Sequence, residues 1–395
     1  MGEISIPLFF AALIAVETGW NWLRDTGYQH ARDSAASLLA AIPHFLLLSI
    51  TPVVWVIGYR VVEARVPWTM PLAWWTWPLG VIVMDFATYW VHRYHHALNL
   101  TWAIHSVHHS SEQLTLTTGA RSSVAEPVVN AATGAYLILI APALVGLPLA
   151  AAGFGYLVKD CWGFAVHTRN VGKLGPLERV LATPSHHRVH HARNAPYAGK
   201  NFGFVLIIWD KLLGTFQPEL AAVPPRYGIA DGPASFNPVV VSFHQLAALW
   251  RDARATPRWR DKLRLAYMPA GWRPAAAAAI PRAATPPRPR GLIAIGLVHV
   301  AYLALAVAQL TATIADHGAA ANLAYLAMVI LGTACLGAFF DGDRRWLRLE
   351  LARAAATAAV LATGAWFGRP LDPVAGALAA VTCAMLGVAA YRRRA

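Results

Sequence analysis

Eleven of the sixteen histidines lie between Asp85 and His191, most of them in three tight boxes. The first reads H-R-Y-H-H at 92–96, the second H-S-V-H-H at 105–109 and the third H-H-R-V-H-H at 186–191; His167 stands alone before the third. Imidazole is the commonest protein ligand for iron, zinc and copper. On a helix, residues three and four apart share a face. His92 and His96 are one such pair. His105, His108 and His109 form a triplet, and His187, His190 and His191 repeat its spacing. At this chain's histidine frequency one H-x-x-H-H arises by accident roughly 0.03 times, so two occurrences argue for a built site. Eight box nitrogens directed at one volume exceed the needs of a single tetrahedral ion and suit two metals. His95 and His186 are extra to the box pattern, and each is as open to direct metal ligation as to a supporting role. His30, His44, His244, His299 and His317 are isolated, and the ordinary reading of each is structural.

Elements with helical period must carry these boxes. Asp85, Tyr89, His92 and His96 follow at steps of 4, 3 and 4 and share one stripe. Asp85 and Tyr89 therefore stand behind the first box, and Asp85 is placed to accept an N–H from a metal-bound imidazole. The second box sits in a polar connection, 97–121. The apolar run 124–166, with Gly146 and Pro148 near its middle, reads as a helical hairpin that returns His167 to the same side. The third box follows Thr183-Pro184-Ser185. Asn201 to Phe216 is aromatic and mixed, too short to span, and reads as lying in an interface.

Composition sets the surroundings. Of 395 residues only 13% are charged, against about 25% in an ordinary globular protein, and the mean hydropathy is +0.43. Long apolar runs predict an all-α integral membrane protein, with spans at 4–19, 42–61 and 72–91, the hairpin 124–166, and four more near 292–313, 320–340, 351–367 and 373–391. The net charge of +13 sits mainly in loops and tails, which fits contact with membrane lipids and leaves no case for nucleic acid. Arg169, Arg179, Arg188 and Arg193 put the boxes on the cytoplasmic side; Arg60 and Arg65 then fall on the other, against the trend. Three scattered cysteines, Cys161, Cys335 and Cys383, make no disulfide framework. The N-terminal run has no basic flank and reads as a retained helix rather than a cleaved signal. The expected domains are 1–216 with the boxes, a Pro/Arg-rich cytoplasmic segment and linker at 217–290, and a C-terminal helical domain at 291–395 in which no chemistry is found.

The chemistry follows from the ligand type. H-E-x-x-H, the mark of many zinc hydrolases, is absent. Haem takes only one or two axial histidines. Iron fits the type and number of ligands, and iron with open positions activates dioxygen. A non-catalytic membrane metal-binding or transport protein is the alternative. Transport ligands usually lie within a span, whereas these boxes follow the ends of the apolar runs.

The motifs resemble the fatty acid hydroxylase/sterol desaturase superfamily, and within it the alkylglycerol monooxygenase branch. The carrying stretches are D-F-A-T-Y-W-V-H-R-Y-H-H (85–96), W-A-I-H-S-V-H-H-S-S-E (102–112), G-P-L-E (175–178), T-P-S-H-H-R-V-H-H (183–191) and K-N-F-G-F-V-L-I-I-W-D-K-L-L-G-T-F (200–216). The resemblance implies a non-haem di-iron site with His92, His96, His105, His108, His109, His187, His190 and His191 as ligands and His167 as a further one. It implies a monooxygenase that takes dioxygen, two electrons from a donor, and a lipid substrate: an alkyl ether lipid, a sterol or a fatty acyl chain. The ether-lipid enzymes of the branch use tetrahydrobiopterin and carry Glu directly after the first box, where this chain has Ala97.

Overall fold

In the computed structural model the described residues are 5–355, apart from 49–50, 231, 234, 279–318, 344, 347 and 354. Among them there are α-helices, two short 3-10 turns and two isolated bridges, Leu98 with Pro269 and Leu181 with Leu206, but no strand. The helices are α1 (Ser5–Arg24), α2 (Ala31–Leu48), α3 (Thr51–Glu63), α4 (Thr76–Ala97), α5 (Asn99–His109), α6 (Leu116–Ala120), α7 (Glu126–Thr133), α8 (Ala135–Ile140), α9 (Leu149–Ala165), α10 (Pro184–His190), α11 (Ile208–Leu212), α12 (Pro238–Ala255), α13 (Trp259–Tyr267), α14 (Ala275–Ala278) and α15 (Ala319–Phe340).

The central pair is α4 against α9. Two glycines let their backbones meet. A Cβ on Gly155 would lie 2.2 Å from the Gly80 carbonyl oxygen, and one on Gly80 the same distance from that of Ala151. Tyr59, Met84, Ala87, Leu139, Ala143, Leu147, Ala151 and Ala152 pack around this crossing, and Tyr59 donates to the Leu147 carbonyl at 2.7 Å. Close approach of this kind makes packing intolerant of added volume.

Two devices aim the histidine-bearing helices. Leu98 is extended between α4 and α5, and its neighbour Asn99 donates its N–H to Met268 O at 2.9 Å. The chain therefore turns directly after the first box and brings the second back toward it. Thr183 caps α10 through a capping box with His186, and Pro184 occupies the first turn, where no N–H partner is needed. The short third helix thus starts at a fixed point.

The expected membrane architecture is corrected by these elements. Among the described residues no single helix is long and apolar enough to cross a membrane. One pair, α7 with α8 and the 3-10 turn ending at Val145, passes together by length and composition, but it bends by 76°. The left-handed Gly134 between them makes the bend. The expected span 4–19 continues in α1 to Arg24 and buries Glu17. That at 42–61 is shared between two helices, with Pro43 inside α2. That at 72–91 starts only at Thr76 and buries Asp85 and Thr88. Apolar content counts residues, whereas a span needs about 20 of them in one uninterrupted helix. Among the described residues the multi-pass topology, and with it the cytoplasmic side assigned to the boxes, is overturned. The stretches at 292–313 and 373–391, and that at 351–367 beyond 355, lie outside the described residues. The one at 320–340 coincides with the 22-residue helix α15.

The stretch 217–290 contains α12 and α13, both packed on α5. Its Arg273 clasps Asp252 of α12 at 2.8 and 2.7 Å. α15 packs on α2 and α12, closely enough that a Cβ on Gly337 would lie 2.3 Å from Asn237 Cα.

Candidate metal centre

Three helices and one helix end deliver nine histidines to two adjoining groups. His92 and His96 from α4, His105 and His109 from α5 and His190 from α10 form the first. His108 from α5, His167 just past α9, and His187 and His191 at α10 form the second. Within each group the candidate ligand nitrogens all lie within 4.8 Å of one another. The i, i+4 spacing of His92 with His96, and of His105 with His109, puts each pair on one face. His108, one step round from His109, turns to the other group.

Backbone carbonyls orient the rings. Nδ1 of His92 meets Phe202 O at 2.8 Å, that of His108 meets Arg121 O at 3.1 Å, that of His167 meets Gly163 O at 2.7 Å and that of His190 meets Lys200 O at 3.0 Å. A carbonyl only accepts, so in these neutral rings Nδ1 carries the proton and Nε2 presents a lone pair. The Nε2 atoms then crowd together: His108 to His167 at 3.1 Å, His187 to His167 at 2.8 Å, His191 to His187 at 3.0 Å and His190 to His109 at 3.2 Å. For His108 and His167 two lone pairs face each other, a contact that no N–H···N bond explains. Two nitrogens bound at right angles to one ion at about 2.1 Å lie about 3.0 Å apart. Nε2 of His92, His96 and His105 is buried with no hydrogen-bond partner, a state that costs about 1–3 kcal/mol per group unless a ligand offsets it. Burial pushes the titration of His108 down to about 4 and that of His190 to about 3. Burial, reinforced by neighbouring histidines, pushes His92, His96, His105, His109, His167, His187 and His191 well below their usual range. At neutral pH this is a nest of neutral Lewis bases with converging lone pairs, and the residues fit metal ions.

His95 and His186 stand outside both groups. His95 Nε2 pairs with Asn130 Oδ1 at 2.8 Å. His186 Nδ1 accepts the Thr183 N–H at 3.3 Å within the α10 cap, and its ring packs on Phe216. Asp85 meets no imidazole. Its oxygens accept from Val205 N, Leu206 N and Trp209 Nε1, each at 2.9 Å. It holds the loop that carries Phe202, whose carbonyl receives His92, so the expected direct contact becomes an indirect one. Tyr89 OH lies 3.0 Å from Thr215 Oγ1.

Spacing alone gave no sign of two further supports. Asp210 accepts the N–H groups of Phe202 and Gly203, both at 2.8 Å, and fixes the other end of that loop. Glu17 on α1 accepts from Leu116 N at 2.6 Å, and from the Thr168 hydroxyl beside His167 at 2.5 Å. A buried acid in an otherwise apolar N-terminal run was the available signal. Asn201 to Phe216, read as lying in an interface, is this supporting loop and α11.

Residues 77–215 match the fatty acid hydroxylase family, and they contain both histidine groups and the supporting loop. The chain belongs to the fatty acid hydroxylase/sterol desaturase superfamily. Among its relatives, human alkylglycerol monooxygenase is 34% identical over 274 residues, 67% of this chain and 59% of the relative. The Xenopus tropicalis alkylglycerol monooxygenase is 37% identical over 217 residues, 55% of this chain and 46% of the relative. An ornithine lipid hydroxylase of Rhizobium tropici is 31% identical over 153 residues, 39% of this chain and 44% of the relative. The chain thus spans between under half and about three fifths of these relatives. No solved structure gives a significant match to the chain.

Proposed function

We propose that the protein is a non-haem di-iron monooxygenase acting on a C–H bond of a lipid. The observation that carries this reading is the pair of all-imidazole groups, five and four nitrogens, with buried Nε2 atoms that no protein donor satisfies. Two iron ions, one held by His92, His96, His105, His109 and His190 and the other by His108, His167, His187 and His191, would couple dioxygen reduction to C–H oxidation. The overall reaction balances as a C–H bond, dioxygen, two protons and two electrons giving an alcohol and water. An external donor supplies the electrons. The same site chemistry serves desaturation, in which two hydrogens leave the chain and two waters form.

The chain's own residues do the rest. Phe202 O, Lys200 O, Arg121 O and Gly163 O hold four rings in one tautomer and orientation, as supporting hydrogen bonds do at metal-ligating histidines. Asp85 and Asp210 hold the loop that offers the Phe202 carbonyl. The relatives are named for alkylglycerols and an ornithine lipid, which supports an amphiphile bearing an alkyl chain. The match leaves the use of tetrahydrobiopterin to be decided by assay, since Ala97 offers no carboxylate beside the first box.

Elemental analysis of purified protein tests the reading. About two irons per chain, with dioxygen uptake stimulated by an alkyl lipid, is the expected result. Zinc alone, or no iron retained after anaerobic reconstitution, would move the protein to the non-catalytic metal-binding class.

A further inference from the structure

A pocket of about 500 Å³ opens beside the first histidine group. Its lining includes His96, Trp102, Phe202, Thr215 and Arg93. His96 lies between Trp102 and Phe202, with ring centroids 5.1 and 5.2 Å away. Its unpartnered Nε2 makes it the link between the pocket and the metal centre. Arg93 is the one charged lining residue apart from the neutral imidazole. It touches Tyr89 OH at 3.3 Å and lies over Trp90 at 5.4 Å. Among the described residues no carboxylate forms an ion pair with it. The nearby Asp210 has its oxygens occupied by Phe202 N, Gly203 N and Thr215 Oγ1. A half-buried guanidinium that feels the Asp210 charge but makes no direct ion pair keeps donors for an anion.

Part of the wall comes from outside the family match. Ala270 and Gly271 line it, held by Ala270 N to Ala97 O at 3.0 Å and Gly271 N to Asn99 Oδ1 at 2.7 Å. Alanine and glycine leave the width open. Arg93 and His96 are three residues apart on α4, so charge and reaction site sit on one helix face.

We propose that this pocket binds an amphiphile with an anionic headgroup, phosphate or carboxylate, seated on Arg93 with its alkyl chain passing Trp102 and Phe202 to His96. The assignment rests on the oxygenase reading above and narrows its substrate class.

Calorimetric titration of the iron-loaded protein, below micelle concentration, tests it with four probes: dodecyl phosphate, the neutral dodecyl glycerol ether, dodecyltrimethylammonium and inorganic phosphate. Dodecyl phosphate should bind at least about ten-fold more tightly than the other three, since charge-assisted bonds to Arg are the strong ones. Arg93→Gln should erase that preference while leaving the neutral ether unchanged, and Arg93→Lys should keep part of it. Ala270→Trp should fill the pocket and weaken all three alkyl probes. Equal binding of dodecyl phosphate by wild type and Arg93→Gln would refute the role of Arg93. Inorganic phosphate binding as tightly as dodecyl phosphate would refute the role of the chain, and undisturbed binding in Ala270→Trp would refute the location. Iron content measured on each sample keeps the two readings apart. Two irons with no anion preference sinks only the headgroup assignment, and no iron sinks the oxygenase.

Discussion

Replacing Asp85 with Ala removes the acceptor for three buried donors at once. Val205 N, Leu206 N and Trp209 Nε1 each lose a 2.9 Å bond to a carboxylate that is fully buried. An orphaned buried donor costs about 1–3 kcal/mol. Three give roughly 3–9 kcal/mol as an upper range, from which relief of the buried charge subtracts. Burial alone pushes the Asp85 carboxyl above its usual range, while the three donors and Lys159 pull the other way. A net loss of about 3–4 kcal/mol is expected, seen as a fall in Tm of several degrees. The loop shift also withdraws Phe202 O from His92 Nδ1. Losing such a support typically weakens metal affinity by about 10–100-fold. The loss should fall mainly on the five-histidine group, whose His92 and His190 are oriented by the carbonyls of Phe202 and Lys200 in and beside this loop. Thermal melting with anaerobic cobalt(II) titration, read in the visible bands, separates the two effects. An Asp85→Ala protein that melts like wild type and fills both sites at wild-type affinity would refute the argument, and Asp210 would then be the loop's main anchor.

Gly155→Ala should destabilise by about 1–3 kcal/mol, since its Cβ would strike the Gly80 carbonyl. Gly153→Ala, two residues away with nothing within 4 Å, should stabilise by about 0.5–1 kcal/mol through helix propensity; paired urea melts decide. His108→Ala should lower metal content by about one ion per chain while His30→Ala leaves it unchanged, and elemental analysis that finds two ions in the His108 variant removes it from the ligand set. At Glu219, burial works to raise the carboxyl, but hydrogen bonds from Arg188 and Ser185 and the Arg188 charge outweigh it, so it titrates below its usual range. A folded-state value depressed below the unfolded one gives stability that is present above about pH 4.5 and lost as pH falls through the folded value. Glu219→Gln should therefore flatten the fall in Tm between pH 5 and pH 3, and an unchanged slope would show that the pair contributes nothing.

The histidine cluster was the most legible part of the sequence, because metal ligation demands particular residue types at helical spacings. The structure collects nine of the eleven clustered histidines, and the two it leaves out, His95 and His186, are those that break the box pattern. The supports were not legible for a physical reason. Phe202, Lys200, Arg121 and Gly163 act through backbone carbonyls, which carry no side-chain signature. Asp85 was seen but its partner was not, since an acid about two turns from His92 reaches a neighbouring loop as readily as an imidazole. The all-helical class was legible from periodicity. The spans were not, because hydropathy sums over stretches such as 124–166 pass over Gly134, Gly146 and Pro148, where the helix actually breaks.

The carbonyl anchors have a consequence for how this centre can change over generations. A side-chain acceptor behind a metal-binding histidine can be lost or exchanged by one codon. A main-chain oxygen cannot, since every residue type supplies it. Phe202, Lys200, Arg121 and Gly163 deliver the acceptor through the main chain, although the side chains of Arg121 and Phe202 are held by other contacts and a Cβ on Gly163 would lie 2.7 Å from Phe204. The electronic character of four of the nine imidazoles is therefore insulated from outright loss of the acceptor at the anchors themselves. It is exposed instead to anything that displaces the backbone, which places the heritable control of the metal centre in Asp85, Asp210, Glu17 and the glycines of the α4–α9 crossing.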